Sequence, residues 1–105
     1  MTVKQIEKVF TDYEENGTFA GLKTWHRVGL INALTRLERL YRKGVPAVQQ
    51  EETCIAGGHS DCIYTIVTCA DLCAAGATSQ DLEFFLRAGA YLADHNGEMT
   101  VHFLT

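Results

Sequence analysis

The chain carries one proline and one tryptophan among its 105 residues, and it has no low-complexity tract. That composition gives no sign of a disordered tail, which would be poor in aromatics and rich in polar repeats. No run of about eighteen consecutive apolar residues occurs, so no membrane-spanning helix is encoded. The N-terminus, Met1-Thr2-Val3-Lys4-Gln5-Ile6-Glu7, meets an acid early and lacks the apolar stretch of a secretory signal. No Gly-x-Gly-x-x-Gly follows a strand-like segment and no Gly-Lys-Ser/Thr closes a loop, so dinucleotide and phosphate-loop chemistry have no basis here. The expected location is cytoplasmic, where thiols stay reduced, and no membrane association is expected.

What is present suits one globular domain over residues 1–105. Hydrophobic residues make up 47% of the chain, and a domain of this length buries roughly 65% of its unfolded surface. A core can therefore form without disulfides or a metal, and no cofactor is expected. The net charge of −4 is unevenly placed. Lys23, Arg27, Arg36, Arg39, Arg42 and Lys43 face only Glu38 between Ala20 and Val45. From Glu51 onward the acids Glu51, Glu52, Asp61, Asp71, Asp81, Glu83, Asp94 and Glu98 are opposed by Arg87 alone. Such polarity steers partners, although two solvated faces would produce the same pattern.

Periodicity predicts the elements. Thr2 and Gln5 form a capping box before a helix from about Val3 to Glu15, with Ile6, Val9, Phe10 and Tyr13 on one face and Asn16-Gly17 as the stop. A longer helix is expected from about Ala20 to Lys43, ended by Gly44 and Pro46. Val48 to Cys54 is a candidate short strand. Cys62 to Cys69 is rich in β-branched residues, yet Ile63, Ile66, Val67, Ala70 and Cys73 also fit a helix capped by Ser60, and the helix is preferred. A last helix is expected from Ser79 to Asp94, capped by Thr78 or Ser79. After Asn96-Gly97, the alternation of Met99, Val101 and Phe103 with Thr100 and His102 predicts a strand over Glu98 to Leu104. A single strand needs a partner for its backbone groups, either Val48 to Cys54 or a second copy of the chain. The fold expected is α+β and mainly helical, with about four helices and a C-terminal strand.

Three constellations bear on chemistry. Cys54, His59 and Cys62 offer thiolates and an imidazole to a metal, but the spacing Cys-x7-Cys-x6-Cys-x3-Cys contains no Cys-x-x-Cys knuckle, and buried reduced thiols are the plainer reading. Cys62 is also the candidate nucleophile: a helix starting at Ser60 would activate it, with His59 as its base. His59, His95 and His102 are further residues that the fold could bring together. Asp71 to Gln80 resembles the helix-turn-helix of bacterial repressors, with Gly76 in the turn. Its second helix, however, carries Gln80, Asp81, Glu83 and only Arg87, and acids there repel phosphate.

With no catalytic motif, the expected function is a non-catalytic protein-binding regulator or inhibitor, of the kind phages and mobile elements encode as accessory proteins. Its expected binding residues are Arg36, Arg39, Lys43, Asp81 and Glu83, its partner a protein with a basic surface, and its state a homodimer. The alternatives are a thiol- or metal-dependent protein using Cys54, His59 and Cys62, and a helix-turn-helix nucleic-acid binder.

Overall fold

The computed structural model describes residues 1–15 and 29–105. Helices α1 (Val3–Glu15) and α2 (Leu30–Gly44) come first, followed by a 3-10 turn at Ala47–Gln49 and strands β1 (Ile55–Gly58) and β2 (Cys62–Thr68). Helices α3 (Cys69–Ala74) and α4 (Ser79–Arg87) then lead into β3 (Ala90–His95) and β4 (Glu98–Leu104). The strands form an antiparallel sheet in the order β1-β2-β4-β3, so the class is α+β.

Helix α1 starts as its sequence predicts. The Thr2 amide donates to Gln5 Oε1 at 2.8 Å, and the Gln5 amide donates to Thr2 Oγ1 at 3.1 Å. Ile6 and Phe10 are buried, one helical turn apart. In α2 the spacing of Ala33, Leu37 and Tyr41 sets the buried stripe, and Arg42 and Lys43 occupy the last turn. The remainder of the long helix expected from Ala20, with Lys23, Trp25, His26 and Arg27, lies outside the described residues, as does the Asn16-Gly17 stop.

Val48 to Cys54 is not a strand. Val48 sits exposed in the 3-10 turn, and the segment after it is strapped onto α2 by side chains instead of a ladder. Arg42 donates to Gln50 Oε1 at 2.9 Å and to the backbone carbonyls of Glu51 and Glu52. Gln50 returns hydrogen bonds to the carbonyls of Arg42 and Val45, and the Glu51 amide donates to the Tyr41 hydroxyl at 2.6 Å. These bonds satisfy the backbone that a strand partner would otherwise have engaged.

Cys62 to Thr68 is a strand, not the preferred helix, and its β-branched run wins because β4 lies alongside to pair it. Pairing slips between Tyr64 and Thr68, a bulge at which buried Thr65 donates to the Val101 carbonyl at 2.7 Å and accepts from the Val67 amide. The following helix is therefore capped by Thr68, whose hydroxyl accepts from Asp71 in a capping box, and not by Ser60. The helix begun at Ser79 stops at Arg87 instead of Asp94. Thr78 caps it, Ala88 ends it, and the residues expected to complete it form β3. Asn96 at φ 53° and Gly97 at φ 89° make the two-residue turn of a β3–β4 hairpin, which pairs His95 with Glu98 and Asp94 with Met99.

Strand β4 forms where expected, but neither proposed partner is used: β2 and β3 flank it within the chain, so it gives no argument for a second copy. The helices cover one face of the sheet. Val67, Val101 and Phe103 meet Leu37, Leu72, Leu82 and Phe85 there in a continuous core. Phe85 stands edge-on to Phe103 with centroids 6.4 Å apart. Among the described residues no helix is long and apolar enough to cross a membrane.

Candidate functional site

The cysteine–histidine loop does not assemble a site. Cys54 is fully buried below α2, where its amide donates to Glu38 Oε2 at 2.8 Å. Burial pushes its thiol far above the ordinary range, and the neighbouring Glu38 carboxylate adds to that. For Glu38 itself, burial acts to raise the carboxyl, but hydrogen bonds from the Cys54 thiol and amide and from Arg42 outweigh it and hold the group low. Cys62 opens strand β2, so no helix N-terminus activates it, and the proposed nucleophile loses its physical basis. Its thiol neighbours the Tyr91 hydroxyl, while exposed His59 packs toward Tyr64 with centroids 5.6 Å apart. Among the described residues no three His, Cys, Asp or Glu side chains are placed to hold a metal, so Cys54, His59 and Cys62 do not form a ligand set. All four cysteines are free; Cys54 and Cys69 are buried, whereas Cys62 and Cys73 are only half-buried, so the buried-thiol reading fits two of the four.

The three histidines do converge, on Tyr64. This side chain stands on the sheet face opposite the helices, its ring lying over Gly57 of the adjacent strand. His95 approaches it to 5.3 Å and His102 to 5.9 Å between centroids, and Tyr91 lies 5.5 Å from His102. Strand alternation puts Tyr64, Tyr91 and His102 in one row across β2, β4 and β3. His102 is nearly buried by these rings and shares a 3.1 Å hydrogen bond with Thr100. Burial lowers its pKa, and nearby His95 lowers it further. A neutral imidazole inside a ring layer closes the sheet face.

Helices α3 and α4 follow one another across the turn at Gly76, where the sequence suggests a helix–turn–helix, and the β3–β4 hairpin comes next. The charges of this region are divided between internal and external use. Asp81 caps α4 through Thr78 and meets Arg36 of α2 at 3.6 Å. Arg36 also lies 4.3 Å above the ring of Phe84. Glu83 is exposed and pairs with exposed Arg87 at 2.7 Å. Of the basic row on α2, Arg36 and Arg42 are thus engaged within the chain, whereas Arg39 and Lys43 are exposed. Around α4 and the hairpin, Gln80, Glu83, Arg87, Asp94 and Glu98 remain at the surface.

The sequence suggested that the three histidines could converge but gave no place to Tyr64, on which they meet, or to Tyr91, which packs on His102. The signal was available: Asn96-Gly97 between alternating segments marks a hairpin, and a hairpin there sets Tyr91 opposite His102. No protein-family model matches the chain, and no curated protein or solved structure matches it.

Proposed function

We propose that the chain is a non-catalytic protein-binding regulator or inhibitor that presents an acidic surface to a basic partner in a reducing compartment. One observation carries this reading: α4 and the hairpin expose Glu83, Asp94 and Glu98, with Arg87 held in a pair with Glu83. Acids at these positions repel a phosphate backbone and attract lysine and arginine side chains. The pairing of Arg36 with Asp81 supports it further, because it removes a cation from the surface that a nucleic acid would need.

The nucleic-acid alternative has in its favour the succession of α3, a glycine turn and α4, together with exposed Arg39 and Lys43. Immobilised wild-type chain and a Glu83→Lys/Asp94→Lys/Glu98→Lys variant, each exposed to host lysate, separate the two. The protein-binding reading expects one stoichiometric protein on the wild type, reduced at least tenfold on the variant. Nucleic acid captured instead, or more protein on the variant, would count against it.

A further inference from the structure

Beside the exposed acids of the hairpin runs a cleft of about 430 Å³ between α1 and the sheet, within the usual size range of binding pockets. Helix α1 lends it one stripe, Val3, Glu7, Phe10 and Glu14, and the sheet side supplies Leu92 and Met99. Phe10 and Leu92 also pack against the core, which holds the cleft floor in place. Met99 is 54% exposed at the edge, a large flexible apolar side chain with no packing to satisfy it.

The charge around this apolar floor has one sign. Glu7 and Glu14 stand on the α1 side and Glu98 on the hairpin side, and among the described residues no lysine, arginine or histidine lines the cleft. Among the described residues the ion pairs are Lys8–Asp12, Arg36–Asp81, Arg42–Glu38 and Arg87–Glu83, so all three cleft glutamates lack a counter-ion. The Lys8–Asp12 pair occupies another side of α1, which keeps its cation away from the cleft lining. Cys69 in the lining registers the same field: after burial, Glu7 is what raises its thiol.

We infer that this cleft is a docking groove for a basic amphipathic segment of another protein, with apolar side chains seated between Phe10, Leu92 and Met99 and flanking lysines or arginines against Glu7, Glu14 and Glu98. An amphipathic helix matches both demands, because anchors at i, i+3 and i+4 share one face and cations line its margins. Uncompensated carboxylates on both walls fix the sign of the partner and disfavour an acidic or neutral one. A second copy of this chain, itself acidic at −4, is a poorer match. The inference rests on the protein-binding reading and gives it a location.

The test uses the full chain labelled for nuclear magnetic resonance and a synthetic leucine–lysine amphipathic helix of about 15 residues as probe. Saturable shifts are expected at Val3, Leu92 and Met99. Affinity should fall at least tenfold with Glu7→Lys/Glu14→Lys, and likewise with Met99→Asp or with serine replacing leucine in the probe. All three altered positions on the chain are exposed, so circular dichroism should match the wild type. Shifts confined to another face, or affinity untouched by these variants, would overturn the inference. Concentration-dependent shifts at the cleft without probe would assign it to a second copy and overturn it equally. Lysate capture on Glu7→Lys/Glu14→Lys distinguishes the two levels. A partner kept there but lost on a Glu83→Lys/Asp94→Lys variant, neither position lining the cleft, refutes the groove alone, whereas no partner on the wild type refutes the broader reading.

Discussion

At the scale of single residues, burial controls the reactive groups. The Cys69 thiol is pushed up to about 11, first by burial and then by Glu7, and Cys54 is raised further by burial and Glu38. At pH 8 a thiol with that pKa is ionised about one part in a thousand, against roughly a quarter for an ordinary cysteine. Alkylation of Cys69 and Cys54 in the native protein should therefore be slower than in the unfolded chain by roughly a hundredfold or more. Peptide-resolved mass spectrometry over time checks this, and equal rates in the two states would sink it. A raised folded-state pKa also stabilises the protein below the unfolded thiol value, and that contribution disappears as pH rises toward about 11.

His102 acts in the opposite direction. Its pKa is lowered by burial and then by His95, so folding holds the ring neutral. The stability this neutrality supports is present above the ordinary histidine value of 6.5 and is lost as pH falls through the lowered one. The denaturation midpoint should drop between about pH 7 and about pH 5, before most carboxylates titrate. His102→Gln should flatten the drop. An unchanged slope in that variant would assign the effect to other groups.

Among the elements, the junction of α2 with α3 is the tightest. A Cβ on Gly44 would overlap the Asp71 carbonyl oxygen of α3 and stand 3.0 Å from the amide nitrogen of Ala75, the residue capping α3, both backbone atoms that cannot swing aside. Gly44→Ala should therefore destabilise the protein by about 1–3 kcal/mol, as forced overpacking does, although alanine ordinarily favours a helix. Urea denaturation measures it, and a neutral or stabilising result would show that the helices slide apart freely.

This junction also shows what the sequence made legible. Local signals placed α1, the second half of α2 and β4, because a cap, a periodic stripe or an alternation decides each of them. Gly44 was readable as a helix end but not as a contact, since α3 reaches it from 27 residues away. Cys62 to Thr68 carried both strand and helix patterns, and only pairing with β4 selects the strand. Leu92 continued the helical spacing of Leu82, Phe85 and Leu86 by coincidence: strand β3 returns it to the same core after Gly89 turns the chain. The strap from Gln50 to Cys54 depends on Arg42, Glu38 and Tyr41 reaching across the fold, which periodicity does not register.

For the whole molecule, the folded charge distribution differs from the linear one. The basic and acidic halves of the sequence meet through Arg36 and Asp81, and Glu38 and Arg42 neutralise each other beside the strap. What remains outward on α4 and the hairpin is mainly acid, continuous through Glu98 with the cleft beside α1. On the proposed reading, this field favours a basic protein over a nucleic acid. The most direct test is capture on the immobilised chain from one lysate divided in two, with one half treated with nuclease. The expected result is the same stoichiometric basic protein from both halves, with no enrichment of nucleic acid in the untreated one. Nucleic acid enriched in the untreated half, with the accompanying protein lost after nuclease, would contradict the account.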